Sequence, residues 1–174
     1  FAVSQGGDVT AVDVFTGNPL WLSSLSVKGA LFESSPAVLN EVLVVLRETA
    51  PNSLDLLKLD RATGAFAGSV AGLKGSFAST PALVMIGPRT LAVFGTETSA
   101  FVADVTAAPA VLCEFNIKGA GGAIFSTPAV EGTTVFFGKG DGSGQSLRQN
   151  GVGNNVNSGV WTGDLNDVLA GDCA

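Results

Sequence analysis

The chain has 174 residues, of which 46% are hydrophobic and only 14% are charged, a balance that excludes disorder and predicts a folded protein with a real core. Its net charge of −6 comes without a basic stripe, which argues against a nucleic-acid partner. Histidine and tyrosine are both absent, so histidine catalysis, histidine metal ligands and a tyrosine base are excluded.

The N-terminal part of the chain predicts two strands and a tight turn before Trp21. The turn has the sequence Asp-x-x-Thr-Gly, formed by Asp13, Thr16 and Gly17. Glycine supplies a positive φ there, and the Asp and Thr side chains can cap the amides of the turn. Because only two strands precede Trp21, we expect the array described next to begin partway through a repeat unit.

Two sequence signatures recur along the chain with the same period. A Ser/Thr-Pro-Ala-Val/Leu segment places Pro36, Pro81 and Pro128 at intervals of 45 and 47 residues. The turn signature at Asp13 recurs at Asp60 and, less completely, at Asp104, at intervals of 47 and 44 residues. A period near 45 is typical of four-stranded propeller blades.

The repeat predicts an all-β, β-propeller-type domain over residues 1–174, with about four blades of four antiparallel strands. In each unit the proline segment starts a strand, a β-branched strand follows, a third strand ends at the turn, and the last runs outward. The most apolar run, Val42–Leu46, is strand length, so no membrane-spanning segment is predicted. The predicted blades are residues 1–25, 33–71, 78–117 and 124–162, with a C-terminal tail at 163–174.

Aromatic residues are predicted mainly for the core and for packing between blades. The repeat places Phe32, Phe77 and Phe125 equivalently, which is what a shared core requires. Val160–Thr162 contains Trp161 and is predicted as the outer strand of the fourth blade, since Trp21 has the comparable place after its turn. No helix is strongly predicted; the tail has room for one short turn.

The two signatures resemble the pyrroloquinoline-quinone-like repeat of the quinoprotein dehydrogenase-like propellers. Its unit reads Ala-x-Asp-x-x-Thr-Gly-x-x-x-Trp followed by Ser-Ser-Pro-Ala-Val, which Ala11–Trp21 and Ser34–Val38 match. The resemblance covers residues 1 to about 142 and implies a propeller fold. It does not imply one function, because the repeat occurs in dehydrogenases, in an outer-membrane assembly lipoprotein and in many secreted proteins.

The chain departs from the dehydrogenases of this family in the parts that hold the cofactor. Those enzymes carry a disulfide between adjacent cysteines, whereas Cys113 and Cys173 are far apart in sequence. No position matches their Asp-Asn-Glu calcium ligands. We therefore expect no cofactor and no catalytic residue.

The family's propellers have seven or eight blades, and this chain has material for about four. We expect it either to close as a small propeller or to form part of a larger one, completed by another chain or by more of the same polypeptide.

Three other motifs are better explained by structure than by chemistry. In Gly138–Gly144 the lysine comes too early for a phosphate loop and no helical pattern follows, so the segment predicts a hairpin loop. Asp13 and Asp60 fall on different blades, so we interpret them as turn caps rather than paired catalytic carboxylates. The acidic residues of the tail do not have the spacing of a calcium loop and predict a solvated segment: Asp164, Asp167 and Asp172, with Asn166.

The two cysteines leave two alternatives open. They are either two separate buried thiols or one disulfide in an oxidising compartment. The repeat register places Cys113 in the outer strand of the third blade and Cys173 just after the last outer strand, and adjacent blades bring such strands together. We therefore predict a Cys113–Cys173 bond that holds the tail.

These expectations favour a non-catalytic scaffold or protein-interaction module. The predicted role is that of an accessory subunit in a larger extracytoplasmic or lumenal assembly, with protein partners for which a membrane-protein complex is one candidate. Candidate compartments are the periplasm, an organelle lumen such as the thylakoid, or the cell exterior. The alternatives are part of a quinoprotein-type cofactor-binding enzyme, or a lectin-like or peptide-binding propeller.

Overall fold

A computed structural model of the chain describes residues 1–76, 79–116, 126–139, 148–149 and 159–173. It confirms the predicted all-β class, with strands gathered into four separate sheets and one five-residue helix. The first sheet comprises β1 (Ala2–Val3), β2 (Asp8–Val12) and β3 (Pro19–Ser24). The second comprises β4 (Ala37–Leu39), β5 (Val42–Ala50), β6 (Ser53–Asp60) and β7 (Phe66–Lys74).

The third and fourth sheets complete the described part of the chain. The third comprises β8 (Ala82–Ile86), β9 (Arg89–Gly95), β10 (Ser99–Asp104) and β11 (Ala110–Asn116). The fourth comprises β12 (Ala129–Glu131), β13 (Thr134–Lys139), β14 (Arg148–Gln149) and β15 (Gly159–Asp164), and helix α1 (Leu165–Leu169) follows it. In the second and third sheets every strand pairs antiparallel with its sequence neighbour.

The recurring prolines mark the start of the first strand in three of the sheets. Each of these strands begins at the residue directly after the proline: β4 after Pro36, β8 after Pro81 and β12 after Pro128. Proline fits there because it stands before the ladder and need not donate to it. β8 contacts both β4 and β12, so these strands line one side of the stack of sheets.

The first sheet has three described strands, which agrees with the predicted start partway through a repeat unit. One prediction about an individual strand needs correction. In the fourth sheet β15, which contains Val160–Thr162, pairs antiparallel with β13 and takes the third position instead of the outer one. The outer position belongs to β14, which runs parallel to β15 and so breaks the antiparallel pattern. The physical reason is that about 20 residues separate β13 from β15, where the other sheets have a short hairpin.

The core lies in the layers between sheets. Strands β5, β6, β9 and β10 are buried on both faces, which explains their nearly continuous apolar sequences. One cluster joins the first and second sheets, a second joins the second and third, and a third joins the third and fourth with α1. A fully buried leucine in such a layer contributes about 2 kcal/mol. Phe32 is buried in the first of these layers, while Phe77 and Phe125 lie outside the described residues.

The repeat aspartate has a fourth copy that sequence reasoning missed. In three sheets the residue after the aspartate donates its amide to a carbonyl at the start of the second strand: Arg61 to Glu41, Val105 to Thr90 and Leu165 to Thr133. Asp164, at the end of β15, is therefore equivalent to Asp60 and Asp104. Its spacing of 60 residues from Asp104 hid it, because the period elsewhere is near 45.

Candidate interaction surface

Two Asp-x-x-Thr-Gly turns have nearly identical hydrogen bonds. An Asp13 carboxylate oxygen accepts from the amides of Phe15 and Thr16 at 3.0 and 2.8 Å and from the Thr16 hydroxyl at 3.0 Å. An Asp60 oxygen accepts from the Thr63 amide at 2.8 Å and the Thr63 hydroxyl at 2.6 Å. Both turns close on a glycine with φ of 73°. The structure thus gives both aspartates a capping role.

These hydrogen bonds favour the charged form of both carboxylates. The Thr16 amide, then its hydroxyl and the Phe15 amide, lower the pKa of Asp13 below its ordinary value of 3.8. The Thr63 hydroxyl and amide lower the pKa of Asp60 in the same way. Neither group therefore has the raised pKa that a general acid working near neutral pH would need.

Trp21 joins the first sheet to the turn of the second. Its indole Nε1–H donates to the carbonyl of Arg61 at 3.1 Å. A Cβ placed on Gly64 would lie 2.5 Å from the ring carbon Cε3, so the ring lies directly against this glycine. Glycine is required at this position both for its positive φ and for the close approach of the ring.

A lysine joins the second sheet to the third. Lys58 Nζ donates to the carbonyls of Thr106 and Ala107 at 2.9 and 2.8 Å, in the turn that follows the third repeat aspartate. Beside it, a Cβ on Gly68 would lie 2.7 Å from Cδ of Pro109, which directly precedes the outer strand β11. This turn has no glycine at its end, and it receives an ammonium group instead of an indole.

A disulfide joins the third sheet to the C-terminal tail. The structure joins Cys113 in β11 to Cys173, with the two Cα atoms 5.5 Å apart. Between them α1 buries Leu165 and Val168 against the third and fourth sheets. Asp164 caps this helix by accepting from the Asn166 amide at 2.8 Å. The tail is thus held by apolar packing and a covalent link.

The three inter-sheet contacts lie at the same cross-strand pair of the repeat. In each sheet this pair joins the residue two places before the repeat aspartate to a residue of the outer strand: Ala11–Trp21, Lys58–Gly68 and Val102–Cys113. In the first and third sheets the outer-strand residue makes the contact, through an indole or a thiol, and in the second sheet Lys58 on β6 makes it. Sequence reasoning missed this equivalence because a bulge in each outer strand shifts the register by one residue.

The outward face of the first sheet leaves apolar side chains uncovered. Val9 and Ala11 point toward the second sheet and are buried, so the residues that alternate with them in β2, Thr10 and Val12, point away. Leu22 pairs with Thr10 and is 66% exposed on that side. We define the open face as Thr10, Val12 and Leu22 together with the turn Asp13–Gly17, in which Val14 and Phe15 are also exposed.

Contiguous exposed apolar side chains of this kind mark interaction sites in soluble proteins. The corresponding residues of the second sheet show what covers such a face. Leu57 and Leu59 hold the positions of Thr10 and Val12, and both are buried against the first sheet. The open face of the first sheet therefore corresponds to the face of the second sheet that the first sheet covers.

The remaining sequence candidates form no second site. Among the residues the structure describes, no group of three or more Asp, Glu or Cys side chains is arranged to hold a metal. Gly138 and Lys139 end β13, and the rest of the glycine-rich motif lies outside the described residues. Glu48 lines a small cavity together with Leu31 and Glu33. Burial, followed by the negative charge of Glu33, raises the pKa of Glu48. No helix in the described ranges is long and apolar enough to cross a bilayer.

Comparison with known proteins gives a match of fold. No family model and no curated protein sequence matches the chain. The crystal structure of BamB from Moraxella catarrhalis matches with a TM-score of 0.59 and 17% sequence identity, over 78% of this chain and 42% of that chain. The chain thus spans about two-fifths of the BamB chain. Its four sheets have the fold of part of BamB, a β-propeller built from the pyrroloquinoline-quinone-like repeat.

Proposed function

We propose that this chain is a non-catalytic protein-interaction module of the pyrroloquinoline-quinone-like repeat family, and that it works as an accessory subunit of an extracytoplasmic assembly. The observation that carries the proposal is the open face. Leu22 exposes two-thirds of its surface next to an exposed turn, whereas each other described repeat turn is covered by an inter-sheet contact. A rigid sheet that presents apolar side chains on ordered strands is suited to binding a protein.

The composition supports a binding role over a catalytic one. The chain has no histidine and no tyrosine, and the carboxylates of its two complete turns are engaged in caps. The net charge of −6 favours a protein partner over nucleic acid or an anionic lipid surface.

The compartment is inferred from the cysteines. The chain contains two, and the structure pairs them with each other. Disulfides persist in oxidising compartments and are rare in the cytosol. The periplasm, an organelle lumen and the cell exterior all satisfy this condition.

Affinity chromatography on immobilised protein tests the proposal. The full chain, a Leu22→Glu variant and a Met85→Glu variant are exposed to the same extracytoplasmic extract. Met85 is a matched control because it is 49% exposed on the third sheet, and the substitution adds the same charge. We expect one or more proteins that bind the chain and the Met85 variant but not the Leu22 variant. Equal retention on all three columns, or no retention on any, would contradict the proposal.

A further inference from the structure

A small cavity lies where the segment that leads into β4 meets the end of β5. Leu31 and Glu48 form an isolated antiparallel bridge there, and their amides donate to each other's carbonyls at 2.9 and 2.8 Å. Three leucine side chains form the apolar wall of the cavity. Its polar lining comes from Glu33, Ser34, Glu48 and Ser76. The side chains of these four residues offer two carboxylates and two hydroxyls, so oxygen is the one donor element they provide.

The hydroxyl of Ser34 is a buried polar group that lines this cavity. Ser34 is 7% exposed, and its Oγ has no hydrogen-bond partner among the described residues. The equivalent residue of the third sheet, Ser79, also stands two places before the repeat proline, and its Oγ accepts from the Gly95 amide at 2.9 Å. Because a buried hydroxyl without a hydrogen bond is unfavourable, the Ser34 Oγ indicates a ligand that bonds to oxygen.

The two carboxylates of the cavity repel each other. Burial, and next the charge of Glu33, raise the pKa of Glu48, the charge of Glu97 acts in the same direction, and a hydrogen bond from Ser76 opposes them. The ion pairs in the described part of the chain use other acidic side chains: Asp55, Asp104 and Glu114. A cation between Glu33 and Glu48 would therefore relieve a repulsion that no lysine or arginine of the described residues offsets.

The chemistry of the cavity selects the kind of cation. Oxygen donors suit hard cations, and two carboxylates balance the charge of a divalent one. Magnesium keeps several of its waters, and a cavity about the size of one water has no room for them. Calcium accepts irregular sets of oxygen ligands. The described residues hold no group of three acidic or cysteine side chains around a metal, so hydroxyls and water must supply the other ligands.

We propose that this cavity is a calcium site, in which the carboxylates of Glu33 and Glu48 and the hydroxyl of Ser34 bind the ion. Glu33 is exposed, Glu48 is half-buried and Ser34 is buried, so the ion enters past Glu33. With few protein ligands the site belongs to the weak class, with a dissociation constant of about 10⁻⁴ to 10⁻³ M. The bound ion links the segment before β4 to the end of β5, and it does not involve the open face.

Titration of calcium chloride into the chelator-treated, ¹⁵N-labelled full chain tests the proposal, with amide chemical shifts as the readout. Ser34→Ala removes a hydroxyl that has no partner among the described residues, so this variant should fold like the wild type. Glu48→Gln removes one carboxylate charge. Glu41→Gln is the matched control, because Glu41 is exposed at the opposite end of β5 and the substitution removes the same charge.

We expect saturable shifts at Leu31, Ser34 and Glu48, and weaker binding of magnesium. Binding of calcium should be about tenfold weaker in Glu48→Gln, weaker also in Ser34→Ala, and unchanged in Glu41→Gln. The proposal is wrong if no saturable shifts appear up to about 10 mM calcium, if the shifts centre on the acidic tail, or if Ser34→Ala and Glu48→Gln bind as tightly as the wild type. Should Glu48→Gln fail to fold, the comparison of Ser34→Ala with the wild type decides.

Discussion

Trp21, Gly68 and Cys113 occupy one position of the repeat, yet each joins its sheet to the next by a different chemistry. The indole uses ring packing and one hydrogen bond. At Gly68 the cross-strand neighbour Lys58 supplies two charge-assisted hydrogen bonds. Cys113 forms a covalent bond. A layer of buried apolar side chains accompanies each of the three contacts.

Replacement of Trp21 by alanine tests the first of these contacts. The variant loses the packing on Gly64 and the hydrogen bond to Arg61, and since Trp21 is half-buried we expect a loss of about 2 kcal/mol in the free energy of unfolding. The measurement is urea denaturation at pH 7. Leu22→Ala, on the adjacent exposed side, should change stability by less than about 0.5 kcal/mol. Equal effects of the two substitutions would show that the indole contact is not formed.

The charge of Asp60 gives a prediction about pH. Its folded pKa lies below the ordinary value of 3.8, so its stabilising effect is present above pH 3.8 and is lost as the pH falls through the lowered folded pKa. Asp60→Asn keeps an acceptor oxygen but has no charge. We expect the variant to melt at a lower temperature than the wild type at pH 7, and the gap to close at pH values well below 3.8.

Thermal unfolding followed by circular dichroism checks this prediction, with Asp8→Asn as the control. Asp8 is exposed at the start of β2, and its side chain caps no Asp-x-x-Thr-Gly turn. A gap for Asp60→Asn that stays constant with pH would mean that the carboxylate charge has no part in the cap.

At the scale of strands and turns, the sequence was informative wherever the repeat was regular. The proline segments predicted β4, β8 and β12, and the Asp-x-x-Thr-Gly sequences predicted the two complete turns, because these positions depend on local backbone chemistry. The outward strand containing Trp21 also follows from its motif.

The fourth sheet could not be predicted in the same way. Its repeat aspartate, Asp164, is displaced by the long segment between β13 and β15, and the chain then forms α1 instead of a glycine turn. Strand order is a property of long-range pairing, which a local pattern does not specify. The candidate surface was equally hidden, since the side to which Leu22 points depends on register.

The disulfide holds the last element, and its loss has a calculable effect. It closes a loop with a sequence separation of 60, which corresponds to about 4 kcal/mol in the chain-entropy account. We expect thiol titration of the unreduced protein in denaturant to find no free thiol, and Cys113→Ser/Cys173→Ser to unfold at a markedly lower urea concentration. Two titratable thiols per chain would show that the bond is absent.

As a whole molecule, the described chain is a series of four sheets in which each contacts its neighbours in sequence. The three core clusters join consecutive sheets, and none of them joins the first sheet to the fourth. Stability in such an array is close to a sum over neighbouring units. The first sheet is attached at one face, and its other face is the open one.

Residue-resolved hydrogen exchange on the wild type, Trp21→Ala and Lys58→Met tests this serial arrangement most directly. Since Trp21 contributes only to the contact between the first and second sheets, its loss should speed exchange in β2 and β3 and leave β10 in the third sheet as protected as in the wild type. Lys58→Met should speed exchange at the boundary of the second and third sheets. If Trp21→Ala instead lowers protection equally in all four sheets, or leaves β2 and β3 unchanged, the sheets are not joined in series through this repeat position.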